Sequence, residues 1–288
     1  MKHRVFQRII SLVPSTTETL FAIGAGEQVI GITSFCIHPR DDVRKITKVG
    51  GTKTLKIKKI IELKPDLVIA NIEENVKSEI EGLQKANLNV HITHPRSCED
   101  SIHHIRELGV LSGKSEKAEQ MAKEQEKSLK EIRQPIKKRV LVLYLVWKNP
   151  YMTVNEETYI HSLIDAAGGT NVTAKTEGRY PEISMDVIEG LNPAIVLLPS
   201  EPYHFGEDDK LEFFKHKRLQ AVINNQVHLI NGEDTCWFGP RMANGLNILS
   251  KIFSSALSSL RGGPKGRSFT SFRTGSAISR RDPSLRSG

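Results

Sequence analysis

A chain of 288 residues is long enough for two domains of ordinary size, each burying its own core. Its three cysteines, Cys36, Cys98 and Cys236, are far apart and include no Cys-x-x-Cys pair, which argues against a disulfide framework and a structural zinc site. The formal charge of +8 invites a nucleic-acid reading, but the last 28 residues hold seven of the basic side chains and one aspartate; the body keeps 34 basic against 32 acidic residues, so no nucleic-acid partner is expected.

Met1 to Arg8 is basic, yet the apolar stretch behind it, Ile9 to Val13, is shorter than the ~7–15 residues of a signal-peptide core. No lipobox cysteine follows, so the chain reads as cytoplasmic if its N-terminus is complete. No window approaches the ~20 apolar residues of a membrane span. The run from Ile9 to Val13 is a first strand, and Ser15-Thr16-Thr17-Glu18 has the form of a capping box with Ser15 as the cap. A second strand over 28–33 leads into Phe35-Cys36-Ile37-His38, and Gly50-Gly51 makes a glycine-rich loop before Lys53. A helix over 57–63, a strand over 66–70, a helix over 75–86 and a strand over 88–93 give the alternation of a parallel sheet flanked by helices.

Residues 115–133 contain neither glycine nor proline, and Ala118, Met121, Ala122, Gln125, Leu129 and Ile132 follow an i, i+3, i+4 stripe. The spacing predicts one continuous, stiff helix. Beyond it the chain repeats itself: Leu63-Lys64-Pro65-Asp66-Leu67-Val68-Ile69 is answered by Leu191-Asn192-Pro193-Ala194-Ile195-Val196-Leu197. In both, a helix stops at Leu-x-Pro because proline disfavours helical geometry in the residue before it, and a strand buried on both faces follows. The expected architecture is therefore an α/β fold of two similar lobes with mostly parallel central sheets, joined by one long helix. The first lobe covers 1–112, the connecting helix 113–137 and the second lobe 138–260. A basic tail, 261–288, rich in Gly, Ser and Arg, is expected to be disordered.

In open parallel sheets the ligand crevice lies beyond the carboxyl ends of the strands. The loops there hold Ser15, Thr16, Phe35, His38, Lys53, Asn71, Arg96, Trp147, Tyr151, Tyr180, Tyr203, His204, Trp237, Phe238 and Arg241. Both tryptophans belong to this set, and flat rings suit the face of a flat ligand. Arg96 and Arg241 are the candidates for carboxylate or phosphate groups on a ligand. Cys36 and His38, two residues apart, are a candidate metal pair, with ordinary loop packing as the competing role. The chain has no Walker loop, no Gly-x-Ser-x-Gly elbow and no His-Glu-x-x-His, so no catalytic residue is assigned. A chelatase-like enzyme handling tetrapyrroles or metals, and a cytoplasmic carrier or sensor of a metal chelate, stay open as alternatives.

Arg8-Ile9-Ile10-Ser11-Leu12-Val13-Pro14-Ser15-Thr16-Thr17-Glu18, the Leu63 to Ile69 phrase, Ala166-Ala167-Gly168-Gly169-Thr170-Asn171-Val172 and Ser200-Glu201-Pro202, in this order, resemble the helical-backbone periplasmic binding proteins. These are the substrate-binding components of ABC importers for cobalamin, haem and iron siderophores, and the cobalamin-binding branch is nearest. The resemblance covers residues 8–256. It implies a monomer at the periplasm or cell surface with no cofactor of its own, holding a cobalt corrinoid, a haem or a ferric siderophore between the lobes. It also implies docking onto an ABC permease through a surface glutamate of each lobe. Glu201 stands at the second-lobe position; in the first lobe that position falls near Lys77, and Glu73, Glu74 and Glu79 are the neighbouring candidates. Asn71 stands where the cobalamin-binding branch has tryptophan.

Overall fold

The computed structural model describes residues 4–133 and 138–259. The expected tail at 261–288 and the end of the expected connecting helix, 134–137, lie outside the described residues. The first half runs β1 (Ile9–Ser11), α1 (Pro14–Ala22), β2 (Val29–Ile32), α2 (Arg40–Val43), β3 (Thr47–Lys48), β4 (Gly50–Gly51), β5 (Thr54–Leu55), α3 (Ile57–Glu62), β6 (Leu67–Asn71), α4 (Lys77–Lys85), β7 (Val90–Thr93) and α5 (Cys98–Ser112). After α6 (Ser115–Ile132), the second half runs β8 (Val140–Trp147), β9 (Met152–Thr153), α7 (Tyr159–Ala166), β10 (Gly169–Asn171), α8 (Met185–Leu191), β11 (Ile195–Pro199), α9 (Glu207–Phe213), α10 (Gln220–Ile223), β12 (Val227–Ile230), α11 (Gly232–Cys236) and α12 (Met242–Ser259).

The first sheet has the order β3-β2-β1-β6-β7 and the second β10-β8-β11-β12, with β9 antiparallel on β8 and the other pairs of these two sheets parallel; β4 and β5 form a separate antiparallel pair. Apart from β3, the two sheets share one strand order, so the repeated phrase in the sequence is a repeated topology. Every residue of β6 and of β11 is buried, as aliphatic strands covered on both faces must be. The two Leu-x-Pro stops are built alike: Lys64 and Asn192, each just before the proline, leave the right-handed helical region with φ of 46° and 45°. In the first lobe the Arg8 guanidinium donates to the carbonyls of Leu63 at 2.6 Å and Lys64 at 3.0 Å, closing that helix end.

One expected boundary is corrected. Helix α1 begins at Pro14 with Val13 as its cap, so Ser15 is inside the helix and caps nothing. Proline at the first helical position has its φ already set and no N–H to leave unpaired, which moves the start upstream of the serine. The hydroxyls of Thr17 and Thr19 instead donate back to the carbonyls of Val13 and Ser15.

The stripe on α6 is buried as its spacing predicts, through Ala118, Ala122, Gln125 and Leu129, against α5 and α12. Gln125 is the polar member of that stripe because it holds the start of α12. Its Oε1 accepts from the Ala243 N–H at 2.9 Å, and its Nε2 donates to the Pro240 carbonyl at 3.3 Å. Arg106 of α5 clamps the outer side of α6 through Glu119 and Glu126, at 2.7 and 2.8 Å. Gly245 lets α12 touch α11, since a Cβ there would lie 2.0 Å from the Asp234 carbonyl oxygen. Gly245→Ala is expected to force the helices apart at a cost of about 3 kcal/mol, read as a fall in the denaturant midpoint. An unchanged midpoint would show that the contact gives way freely.

Candidate ligand-binding cleft

In each sheet the first strand, β1 or β8, has neighbours on both sides, so the chain leaves it in opposite directions and the loops at its carboxyl end open a crevice. Large apolar side chains stay exposed at these ends. Phe35 after β2 is 60% exposed, Ile72 after β6 is 56% and Trp147 closing β8 is 44%, with Ile37 also open. Tyr203, after β11, stands edge-on to Trp147 with ring centroids 5.6 Å apart, and is held from behind by Phe205 at 4.7 Å. Apolar groups gathered at the strand ends of both lobes form a surface suited to a large ligand.

Two polar clasps join the lobes. Arg241 donates to Glu18 of α1 at 2.6 Å and, within its own lobe, pairs with Glu233 at 3.1 Å and Asp234 at 3.4 Å. Glu233 in turn meets His38 of the first lobe at 2.9 Å. Trp237 lies inside this clasp, edge-on to His38 at 5.7 Å and beneath the Arg241 guanidinium at 5.2 Å, a cation–π arrangement. On the other clasp, Arg179 reaches across to Glu73 at 3.1 Å and His94 at 3.0 Å. Lys53 donates to the Glu73 carbonyl at 2.5 Å, and Tyr180 is half-buried, its phenol held well above the ordinary range by desolvation, with the Glu73 carboxylate adding.

Several expected site residues turn out to hold the scaffold. Thr16 is fully buried and shares a 3.0 Å hydrogen bond with His104 Nε2, tying α1 to α5, and Ser15 is buried beside it. Asn71 is buried, its Oδ1 accepting from the amides of Glu73 at 2.8 Å and Glu74 at 3.3 Å, so it shapes the loop that carries those acids. Phe238 is wedged between His104 and Tyr159 at 5.2 and 6.2 Å. Tyr151 packs on Phe213 and donates to Glu212 at 3.4 Å; burial, with Glu212 adding, pushes its phenol up to about 12. Arg241, faced by three carboxylates, is committed to the clasp and not to a ligand anion. Arg96 is exposed, its guanidinium without a partner among the described residues, and His204 is exposed with Nδ1 3.2 Å from the Ser200 carbonyl.

Cys36 and His38 do not make a metal pair. The Cys36 sulfur is buried against the hydroxyls of Thr17 and Thr33, at 3.1 and 3.2 Å, and burial raises its thiol pKa, which opposes the thiolate that a metal needs. His38 Nε2 turns the other way, to Glu233. Among the described residues no group of three His, Cys, Asp or Glu side chains is set to hold a metal ion. Sequence reasoning missed Glu18, Ile72, Arg179 and Glu233, and placed Glu73 only among the docking candidates. Glu73 was within reach, because it follows β6 at the place in the repeat that Glu201 occupies after β11.

Residues 9–233 match the periplasmic binding protein family. The chain belongs to that family. It is similar to the vitamin B12-binding protein of Vibrio parahaemolyticus serotype O3:K6, 26% identical over 260 residues that cover 88% of this chain and 92% of that protein. Among solved structures it resembles the periplasmic vitamin B12-binding protein BtuF of Vibrio cholerae, with a TM-score of 0.77 at 22% identity over 88% of this chain and 98% of that one. The periplasmic heme-binding protein RhuT from Roseiflexus sp. RS-1 is as similar in fold, with a TM-score of 0.77 at 24% identity over 87% and 98% of the two chains. This binding protein therefore has their two-lobed α/β fold. No helix among the described residues is long and apolar enough to cross a membrane.

Three of the glutamates expected to dock onto a permease, Glu74, Glu79 and Glu201, are each partly withdrawn from solvent in this binding protein. Glu79 accepts from the Leu55 amide at 2.8 Å, bracing α4 against β5. Glu74 is raised by burial, with Glu73 adding and Lys53 opposing. Burial pushes Glu201 up to about 7, and the charges of Glu233 and, from the other lobe, Glu74 add to the rise. A carboxyl whose folded pKa lies above its unfolded value binds its proton more tightly when folded, so its contribution to stability is full at acid pH and lost as pH rises toward 7. Glu201→Gln is accordingly expected to raise the thermal midpoint at pH 8 and to flatten its decline between pH 5 and 8. A lower midpoint at pH 8 would mean that the carboxylate is favourably partnered.

Proposed function

We propose that this protein is the substrate-binding component of an ABC importer and holds a metal chelate, a corrinoid foremost, in the cleft between its lobes. The observation that carries this reading is the set of exposed apolar side chains, Phe35, Ile72 and Trp147, at the strand ends of both lobes, with the half-buried Tyr203 edge-on to Trp147. Flat apolar contact from two sides is what a corrin or porphyrin face offers. The similarity over most of the chain to a protein named for vitamin B12 binding points the same way. In this reading the protein works as a monomer outside the cytoplasmic membrane, needs no cofactor of its own and delivers its chelate to a permease. Lobes of about 1–112 and 138–260, joined through α6, move little, because a helix of 18 residues is a rod of about 27 Å.

Calorimetry with cyanocobalamin, haemin and a ferric siderophore in parallel tests the proposal. One chelate is expected to bind at one per chain with submicromolar affinity and to be recovered intact. Chemical conversion of a tetrapyrrole would favour the chelatase-like alternative, and no binding to any of the three would remove the chelate reading.

A further inference from the structure

The Trp147 face is assembled from two segments of the second lobe. The indole closes β8, just before the turn at 148–151 that leads into β9, whereas Tyr203 and Phe205, which back it, lie in the loop between β11 and α9. A ring contact alone would let the two segments shift against each other. Lys148, the residue after Trp147, ties them together. Its ammonium donates to Asp209 Oδ1 at 2.6 Å and to Glu212 Oε2 at 2.7 Å, both on α9. The other oxygen of Asp209 accepts from the Gly206 N–H at 2.9 Å, directly after Phe205. Lys148 and Asp209 are only 14% and 13% exposed, so water and salt screen this pair little. At the far end of the same turn, Tyr151 packs on Phe213 of α9 and donates to Glu212.

We infer that Lys148 is a positioning residue of the chelate site: by tying its turn to α9 it holds Trp147 and Tyr203 in one arrangement, so that the indole face is ordered before a ligand arrives. The inference rests on the chelate-binding reading above and deepens it. A face already in place binds more tightly than one that has to be ordered, because immobilising a side chain on binding subtracts from affinity. The ammonium is spent on two carboxylates and is largely shielded, so Lys148 acts through Trp147 and not by touching the ligand. A residue that merely pinned α9 to the sheet would act without regard to Trp147.

The test is a double-mutant cycle of Lys148 with Trp147, read by calorimetry with cyanocobalamin and haemin. For whichever of the two the wild type binds, Lys148→Met is expected to weaken affinity about fivefold, the equivalent of ordering one more side chain. In a Trp147→Ala background the same change should cost less than about twofold. Lys148→Arg should keep most of the wild-type affinity, because it returns a cation to both carboxylates. A further readout needs no chelate: in a Trp237→Phe variant, where Trp147 is the one remaining indole, Lys148→Met should increase the quenching of its emission by acrylamide. Should Lys148→Met fold poorly, Glu212→Gln, which removes the more exposed of the two carboxylates, should weaken binding in the same sense, again only with Trp147 present. Unchanged affinity and acrylamide quenching, or equal losses of affinity with and without Trp147, would overturn the positioning role and leave chelate binding standing. Binding of neither chelate by the wild type would overturn both.

Discussion

Replacing Arg241 by alanine should loosen the lobes from each other and lower the thermal midpoint by roughly 6–10 °C, the shift expected of about 3 kcal/mol in a chain of this size. Among the described residues, the guanidinium is the only arginine or lysine group paired with Glu18, Glu233 or Asp234. It holds Glu18 of the first lobe at 2.6 Å while neutralising Glu233 and Asp234 of the second, and all four side chains are at most one-fifth exposed. Without it, three carboxylates share a space of low polarity, and Trp237 loses the cation above its ring. The cost arises mainly from the charges left behind. Arg241→Ala combined with Glu18→Gln and Glu233→Gln should therefore recover a good part of the midpoint, and a triple variant as unstable as the single one would show that the arginine acts through packing instead.

Trp147→Ala should weaken chelate binding by more than tenfold, since an aromatic anchor at the centre of an interface is typically worth about 2 kcal/mol or more. The indole closes β8, is 44% exposed, and has its edge set by Tyr203, so it offers a preformed face that costs little to order. Its removal opens no core cavity, and the thermal midpoint should stay within a few degrees of the wild type. Trp237→Ala should behave differently. That ring is 8% exposed and sandwiched between His38 and Arg241, so its loss should lower stability as well as affinity. Equal effects of the two substitutions on affinity and on stability would argue against this division between ligand platform and clasp.

The lobes were legible in the sequence because their signals are local. Unbroken aliphatic runs stopped by Leu-x-Pro leave little choice but a covered strand, and β6 and β11 are such strands. The stripe on α6 was equally plain, apart from the reason for Gln125, which depends on amides 118 residues further on. Ser15 was misread because two start signals compete there, and Pro14 prevails over a serine one residue later. The cleft was less legible. Its proposed position follows from where strands end, which is a local signal, but the partner of a charge is a matter of tertiary structure. Arg241 and Glu18 lie 223 residues apart, and nothing local says that the arginine is taken. The same holds for Glu201, which looks like a surface acid after a strand, although burial, with Glu233 adding, raises its carboxyl to about 7.

In the proposed reading both tryptophans of the chain border the cleft, Trp147 exposed at the end of β8 and Trp237 in the clasp, so their fluorescence should report on what enters. The decisive measurement is quenching of that emission by cyanocobalamin, cobinamide and haemin, with the Trp147→Phe and Trp237→Phe variants separating the two signals and calorimetry fixing the stoichiometry. A chelate bound between the lobes should quench both rings saturably at one molecule per chain. Calorimetric binding that leaves both rings unquenched would place the ligand elsewhere on the molecule and contradict the interlobe site.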